Sequence, residues 1–363
     1  MLTQMFAQPL VTTVIPTYQR PHLLRRAIRS VLDQTYPHFK LCVYDNASDD
    51  NTAEVVNSLV ARDHRIRYHR HPENIGAQSN FIFGLSKADT PFVHLLSDDD
   101  FLLPGFLAHA TTALQENPAA AFFSGGMISA DAHGRARGFC RYGSEPARAY
   151  RSPELFRLLA PYTRTWTSAL FRRAAVESLG GLKRETGYSF SIDLILRSAA
   201  CFEAVLSDTP CAVFTIHSGS SSVAEASEAF ESQLDLAFFF SINQAIDDAL
   251  ADNIVSVSEA HEMKTLLRSV TEQNFFRGAC GLIARRRLPA AVQASQVLAD
   301  HFNRNDLASV ISIAARDDGL GSILRIALRG AQSARKVWFA GNRAMRYPAY
   351  SEIVRNRMAQ LAA

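Results

Sequence analysis

Over residues 10–96, short apolar runs rich in β-branched side chains alternate with segments whose apolar residues recur at helical spacing. Residues 10–15, closed by Pro16, read as a buried strand. A helix opens at Pro21, where the missing N–H costs nothing, and carries Ala27, Ile28, Val31 and Leu32 until Tyr36-Pro37 stops it. Residues 39–44 form a second predicted strand. Asn51 or Thr52 then caps a helix bearing Val55, Val56, Leu59 and Val60 on one face. A more polar strand over 66–69, a helix over about 77–87 and a strand over 92–96 complete the series. Strands joined by helical crossovers give a largely parallel sheet with helices on both faces. Ligands of such sheets bind in loops after the strands' carboxyl ends. That rule singles out residues 16–20, 45–51 and 97–101.

The chain has 363 residues, 47% apolar and 20% charged, which predicts a globular protein of two domains, or of one large domain with an appendage. A formal net charge of +3, with no basic, aromatic-interleaved patch in the first 222 residues, argues against a nucleic-acid partner. No apolar run is long enough to span a bilayer, and residues 1–10 lack the pattern of a secretory signal. Five scattered cysteines without a C-x-x-C pair fit a reducing, cytoplasmic setting. Charge is uneven along the chain. Residues 225–324 carry 8 basic and 14 acidic side chains, and residues 325–363 carry 8 and 1. From about residue 225 the apolar spacing is helical throughout. The predicted division is therefore an α/β domain over 1–224 and an α-helical region over 225–363, with a turn near Arg287-Leu288-Pro289.

Ser97-Asp98-Asp99-Asp100 directly follows the strand at 92–96. Three adjacent carboxylates repel one another, and a hard divalent cation removes that cost while keeping open positions for phosphate oxygens. The competing reading is an acidic loop that caps the next helix. Asp45-Asn46-Ala47-Ser48-Asp49-Asp50 follows the second strand. Asp45 there is either a ligand for a base or ribose, or the start of an Asx-rich turn.

Taken together, these segments resemble family 2 glycosyltransferases of the GT-A fold. The resemblance rests on residues 14–20 (Val-Ile-Pro-Thr-Tyr-Gln-Arg), 30–36 (Ser-Val-Leu-Asp-Gln-Thr-Tyr), 43–50, Asn74-Ile75-Gly76 with Asn80, and Leu96–Asp100 with Pro104. It covers about residues 10–222. It implies a nucleotide-sugar donor, by default a UDP-sugar, Mn²⁺ or Mg²⁺ as cofactor, and inversion at the anomeric carbon. By position, Pro16, Thr17 and Tyr18 would flank the nucleobase and ribose, and Asp45 would contact the base. Asp98 would hold the ribose, Asp99 would shape the donor loop, and Asp100 would ligate the metal. The family's base is the second acid of a Glu-Asp pair opening a helix. Asp193 matches it here, although Ile192 replaces the preceding Glu; Glu185 is the second candidate, and an i,i+4 pair of Asp193 with Arg197 is the structural alternative.

His217, followed by Gly219 and serines 218 and 220–222, is a candidate metal or diphosphate ligand. Trp166 lies in a segment resembling the family's acceptor pocket, where it would stack on a sugar face or pack in the core. The implied acceptor is a glycan or a lipid-linked sugar, in surface polysaccharide or glycolipid synthesis. Residues 322–340 have the pattern of a basic amphipathic helix, suited either to an anionic membrane surface on the cytoplasmic face or to packing on the acidic zone before it. The helical zone is also a candidate surface for a homo-oligomer.

Overall fold

The structure, a computed structural model, describes residues 10–142, 144–161, 166–217, 234–284, 286–316, 321–322, 326–327 and 348–362. The chain divides into two compact units. One comprises residues 1–216 together with 349–363, and the other residues 217–348.

In the first unit the expected alternation is present. It runs β1 (Val11–Thr17), α1 (Pro21–Leu32), β2 (Phe39–Asp45), α2 (Thr52–Val60), β3 (Ile66–Arg70), α3 (Ala77–Ser86) and β4 (Phe92–Leu95). These strands pair in parallel in the order β3-β2-β1-β4. Every residue of β1 is buried because helices cover both faces of the sheet. α1 starts at Pro21 and turns Leu24, Ala27, Ile28 and Val31 inward. Helix α3 lies unusually close to β1. A Cβ on Gly84 would meet Val14 Cγ1 at 2.5 Å, so only glycine allows that approach.

The second half of the sheet is mixed. It contains β5 (Phe101–Leu102), α4 (Phe106–Glu116), β6 (Ala120–Asp131), β7 (Ala136–Cys140), β8 (Arg148–Tyr150), α5 (Glu154–Leu159), β9 (Ala169–Arg172), α6 (Arg173–Ser178), α7 (Phe190–Cys201) and β10 (Glu203–Ile216). Strand β9 runs antiparallel between β4 and β6, β10 is parallel to β6, and β5 closes that side antiparallel to β10. Strands β6 and β7 form an antiparallel hairpin.

The end of the chain departs from the predicted division. Residues 225–363 were expected to form one helical region, but α12 (Pro348–Ala362) belongs to the first unit. Val354 and Leu361 enter an apolar cluster with Phe101, Leu103, Ile128, Ala130 and Val213, and Tyr350 stacks on Phe139 at 4.5 Å. The helix thereby covers edge strand β5, whose backbone would otherwise be open to pairing. Such long-range packing leaves no local trace in a periodicity pattern.

The other unit is helical: α8 (Leu234–Ala251), α9 (Val257–Ala284), α10 (Leu288–Phe302) and α11 (Asn305–Ala314). α10 begins at the expected Leu288-Pro289 turn and ends at Asn303, whose φ of 55° is the left-handed cap conformation. Its core holds Ala279, Ile283, Ala291 and Ile311 at one end and Leu236, Phe275, Leu298 and Phe302 at the other. Most of the predicted basic helix over 322–340, including Leu324, Leu328 and Trp338, lies outside the described residues. Among the described residues no helix is long and apolar enough to cross a membrane.

Candidate functional site

The acidic loop leaves β4 and turns at once, with the Asp100 N–H donating to Ser97 O at 3.1 Å. β1 ends beside it. Thr17 Oγ1 donates to Asp98 Oδ2 at 2.7 Å. Arg20, just past β1, reaches Asp98 Oδ1 at 3.2 Å and Asp99 Oδ2 at 3.3 Å. Asp100 faces the other way. Its Oδ1 accepts from the Thr215 N–H at 2.8 Å and its Oδ2 from the Thr167 hydroxyl at 2.8 Å. Arg26 of α1 is largely buried beneath the loop. It donates to Asp99 O and, at 3.0 Å, to Thr215 Oγ1, with its guanidinium 4.7 Å from the Phe101 ring.

Burial governs the electrostatics. It pushes the Asp98 carboxyl up to about 6, with repulsion from Asp99 adding and Arg20 and Thr17 opposing. Burial and the Asp99 charge hold Asp100 well above the usual carboxylate range. Desolvation lowers Arg26, while Asp100 and Asp99 counter it. Three carboxylates facing two guanidiniums leave the loop short of positive charge. This set of hard oxygens fits Mn²⁺ or Mg²⁺ held through one or two carboxylates and completed by a ligand. Among the described residues no three His, Cys, Asp or Glu side chains surround a common point, so those residues alone supply no full cage. Asp100 is 0% exposed and Asp99 8%. The carboxylate expected to ligate the metal is thus the one turned into the fold, and Asp99 lies nearer the surface.

The base-binding candidates gather on the same side of the sheet. Pro16 and Thr17 are buried in β1, whereas Tyr18 is 41% exposed at its tip. Asp45, fully buried at the end of β2, accepts from the Ser48 N–H at 2.9 Å and the Tyr68 hydroxyl at 2.6 Å. That first bond is the turn-forming role foreseen as the alternative for Asp45. Burial, followed by the bond to Asp45, raises the Tyr68 phenol. Asn46 Nδ2 donates to Asn74 Oδ1 at 2.7 Å, and its Oδ1 accepts from the Ile75 N–H at 2.8 Å. Asn80 Nδ2 donates to Tyr44 O at 2.8 Å. The asparagines of the sequence motif therefore tie the end of β2 to α3.

Asp193 and Arg197 are 0% and 1% exposed side chains on α7. Arg197 Nε and Nη2 both lie 2.7 Å from Asp193 Oδ2. The same guanidinium donates to Leu179 O and Gly181 O, each at 2.7 Å. The i,i+4 pair exists, but buried rather than at the surface. Glu185 is exposed in the 3-10 turn 184–189 before α7. Gln78 of α3 pins that turn by donating to the carbonyls of Arg184 (2.8 Å), Gly187 (3.0 Å) and Lys183 (3.3 Å). Trp166 is buried against Phe81 and Phe190, with ring centroids 5.1 and 4.9 Å away, so it packs in the core. His217 is half-buried one residue past β10, and the serines and glycine at 218–222 lie outside the described residues.

Four contributors escaped sequence reasoning: Arg20, Arg26, Thr167 and Thr215. Arg20 and Thr167 fall inside recognised segments, but no pattern links them to the acids. Arg26 and Thr215 are 189 residues apart.

Residues 12–180 match the family model described as Glycosyl transferase family 2. The GalNAc(5)-diNAcBac-PP-undecaprenol beta-1,3-glucosyltransferase of Campylobacter jejuni is 37% identical over 101 residues, 28% of this chain and 33% of that protein. The first curated relatives are matched over only 38%, 33% and 18% of their own length. Staphylococcus aureus TarS 1-349 in complex with UDP-GlcNAc superposes with a TM-score of 0.54 at 12% identity, covering 84% of this chain and 90% of that one. The mannosyltransferase PcManGT of Pyrobaculum calidifontis, in complex with GDP-Man and Mn²⁺, gives 0.50 at 16% identity, covering 98% and 86%. These structural likenesses establish a mixed α/β GT-A sheet with flanking helices.

Proposed function

We propose, from the match of residues 12–180 to the family 2 glycosyltransferase model, a metal-dependent, inverting transfer of a sugar from a nucleoside-diphosphate donor. The donor is a UDP-sugar by default. The acceptor is a glycan or lipid-linked sugar, in the synthesis of a surface polysaccharide or glycolipid. The observation that carries the reading is the meeting of Thr17, Arg20, Asp98 and Asp99 where β1 and β4 end. Solved relatives of the same fold hold UDP-GlcNAc or GDP-Man.

Tyr18 offers an exposed ring to the base, and Asp45 shapes the loop beneath it. Asp98, held by Thr17, takes the ribose. Asp99 is the carboxylate that we assign to the cation, because Asp100 spends both oxygens inside the fold. His217, past the end of β10, would approach the diphosphate. When bound, the cation neutralises charge developing on the leaving diphosphate. Arg20 and Arg26 add fixed positive charge on the same side. For the base we favour Glu185, exposed before α7, over Asp193, whose burial against Arg197 suits an anchor. The Campylobacter jejuni relative, named for an undecaprenol-linked substrate, supports work at the cytoplasmic face of a membrane.

Calorimetric titration of UDP and GDP, each with and without Mn²⁺, tests the reading. Metal-dependent uptake of one nucleotide is expected, reduced at least tenfold in Asp99→Asn and much less in Asp100→Asn. Metal-independent affinity, or none for any nucleotide, would refute the donor site. The reverse order of the two variants would return the cation to Asp100.

A further inference from the structure

Leu102 follows the acidic loop by two residues, and side chains from two helices hold its backbone. Its N–H donates to Ser30 Oγ of α1 at 3.1 Å, and its carbonyl accepts from Arg357 Nε of α12 at 3.3 Å. Arg357 is buried, and its Nη1 also lies 3.2 Å from Asp33 Oδ2 at the end of α1. Arg29 of α1 returns the link, donating to Leu361 O at 3.0 Å. One turn earlier on the same helix, Arg26 holds Asp99 O. Helix α1 is thus braced by the acidic loop on one side and by α12 on the other. Phe101 and Leu103, which flank Leu102, pack against Val354 and Leu361 in one cluster.

We propose that Arg357 is a positioning residue for donor binding, and that α12 is part of the donor site although it touches no donor. The proposal rests on the donor reading above. A buried carbonyl that loses its charged donor must shift to find another partner. Through Phe101, Leu102 is joined directly to the loop that ends at Asp100, so a shift there strains the contacts that set the acids. Nothing in the sequence hints at this, since Arg357 lies 255 residues beyond Leu102.

The test titrates UDP with Mn²⁺ into the full chain and into Arg357→Met and Arg357→Lys, with donor KM and kcat measured alongside. Arg357→Met is expected to weaken UDP uptake and raise donor KM about tenfold while kcat at saturating donor stays within about twofold. Arg357→Lys, which retains a charged donor, is expected to recover part of the loss. A lowered Tm with unchanged UDP affinity in Arg357→Met would reduce Arg357 to a stability role and overturn the proposal. Should Arg357→Met fail to fold, Arg29→Gln and Asp33→Asn each remove one link and leave the apolar face intact. A rise of about threefold in donor KM is expected for each, and wild-type KM in both overturns the proposal. Absence of UDP uptake by the unaltered chain overturns the donor reading and this proposal with it. Uptake by the unaltered chain that Arg357→Met leaves unchanged overturns this proposal alone.

Discussion

Asp193→Asn separates an anchor from a base. In the folded chain the carboxylate is fully buried, and two nitrogens of Arg197 lie 2.7 Å from one of its oxygens. Removing the negative charge leaves a guanidinium at 1% exposure with only neutral acceptors, including the carbonyls of Leu179 and Gly181. Breaking a buried pair from one side costs about 3–5 kcal/mol, because the remaining charge is desolvated without compensation. For a unit of this size, roughly 3 °C per kcal/mol puts the fall in Tm at about 9–15 °C. Urea unfolding gives the energy, and turnover per folded molecule gives the chemistry. Arg197→Met is expected to cost a similar amount. The double variant Asp193→Leu/Arg197→Met is expected to lose less than the two single losses added, since no charge is stranded. It still strands the two carbonyls, at about 1 kcal/mol each. A stability loss below about 1 kcal/mol in Asp193→Asn, together with abolished transfer at full donor binding, would refute the anchor and make Asp193 the base.

Three further outcomes follow from the same geometry. Burial holds His94 down at about 4 in the folded chain against an ordinary 6.5; the unfolded chain therefore binds the extra proton between those values. His94 thus contributes about 3 kcal/mol above pH 6.5 that is lost as pH falls toward 4. Asp98 has the opposite slope at the acid end, because its raised value favours the folded state as pH falls from about 6. The check is the difference between wild type and His94→Asn across pH 4–7, which is expected to lose the steep limb. Gln78→Leu removes one donor from three carbonyls of the 183–187 segment. It should cost about 1–2 kcal/mol, speed amide exchange over 184–189 and raise acceptor KM with donor affinity unchanged. Thr167→Val keeps the shape but strips a donor from buried Asp100; urea titration should show a loss of about 1–3 kcal/mol.

The parallel half of the sheet was legible because each strand and helix carries its own periodicity and because proline and asparagine mark the boundaries. Pro21 opens α1, and the run 92–96 ends at the acids as predicted. The mixed half was less legible. β9 inserts between β4 and β6, an order set by packing rather than by sequence neighbourhood. Among site residues the carboxylates stood out by type, but their orientation did not. Nothing local says that Asp99 pairs with Arg20 and keeps slight exposure while Asp100 is claimed by Thr167 and Thr215. Asp193 was found by its place in a motif, and its environment depends on carbonyls at 179 and 181 that no spacing rule reports. Trp166 showed the same limit, since an aromatic near an acceptor segment reads alike whether it faces a sugar or the core.

The return of α12 to the first unit also has a consequence in time. On a ribosome, β10 is complete at Ile216, but the helix that covers edge strand β5 is translated only after the 132 residues of the other unit (217–348). At about 5–20 residues per second that is an interval of about 7–26 s. Throughout it the Leu102 carbonyl lacks Arg357, and the apolar faces of Phe101, Ile128 and Val213 lack Val354 and Leu361. For those seconds the cluster that α12 completes stands open to association with other chains.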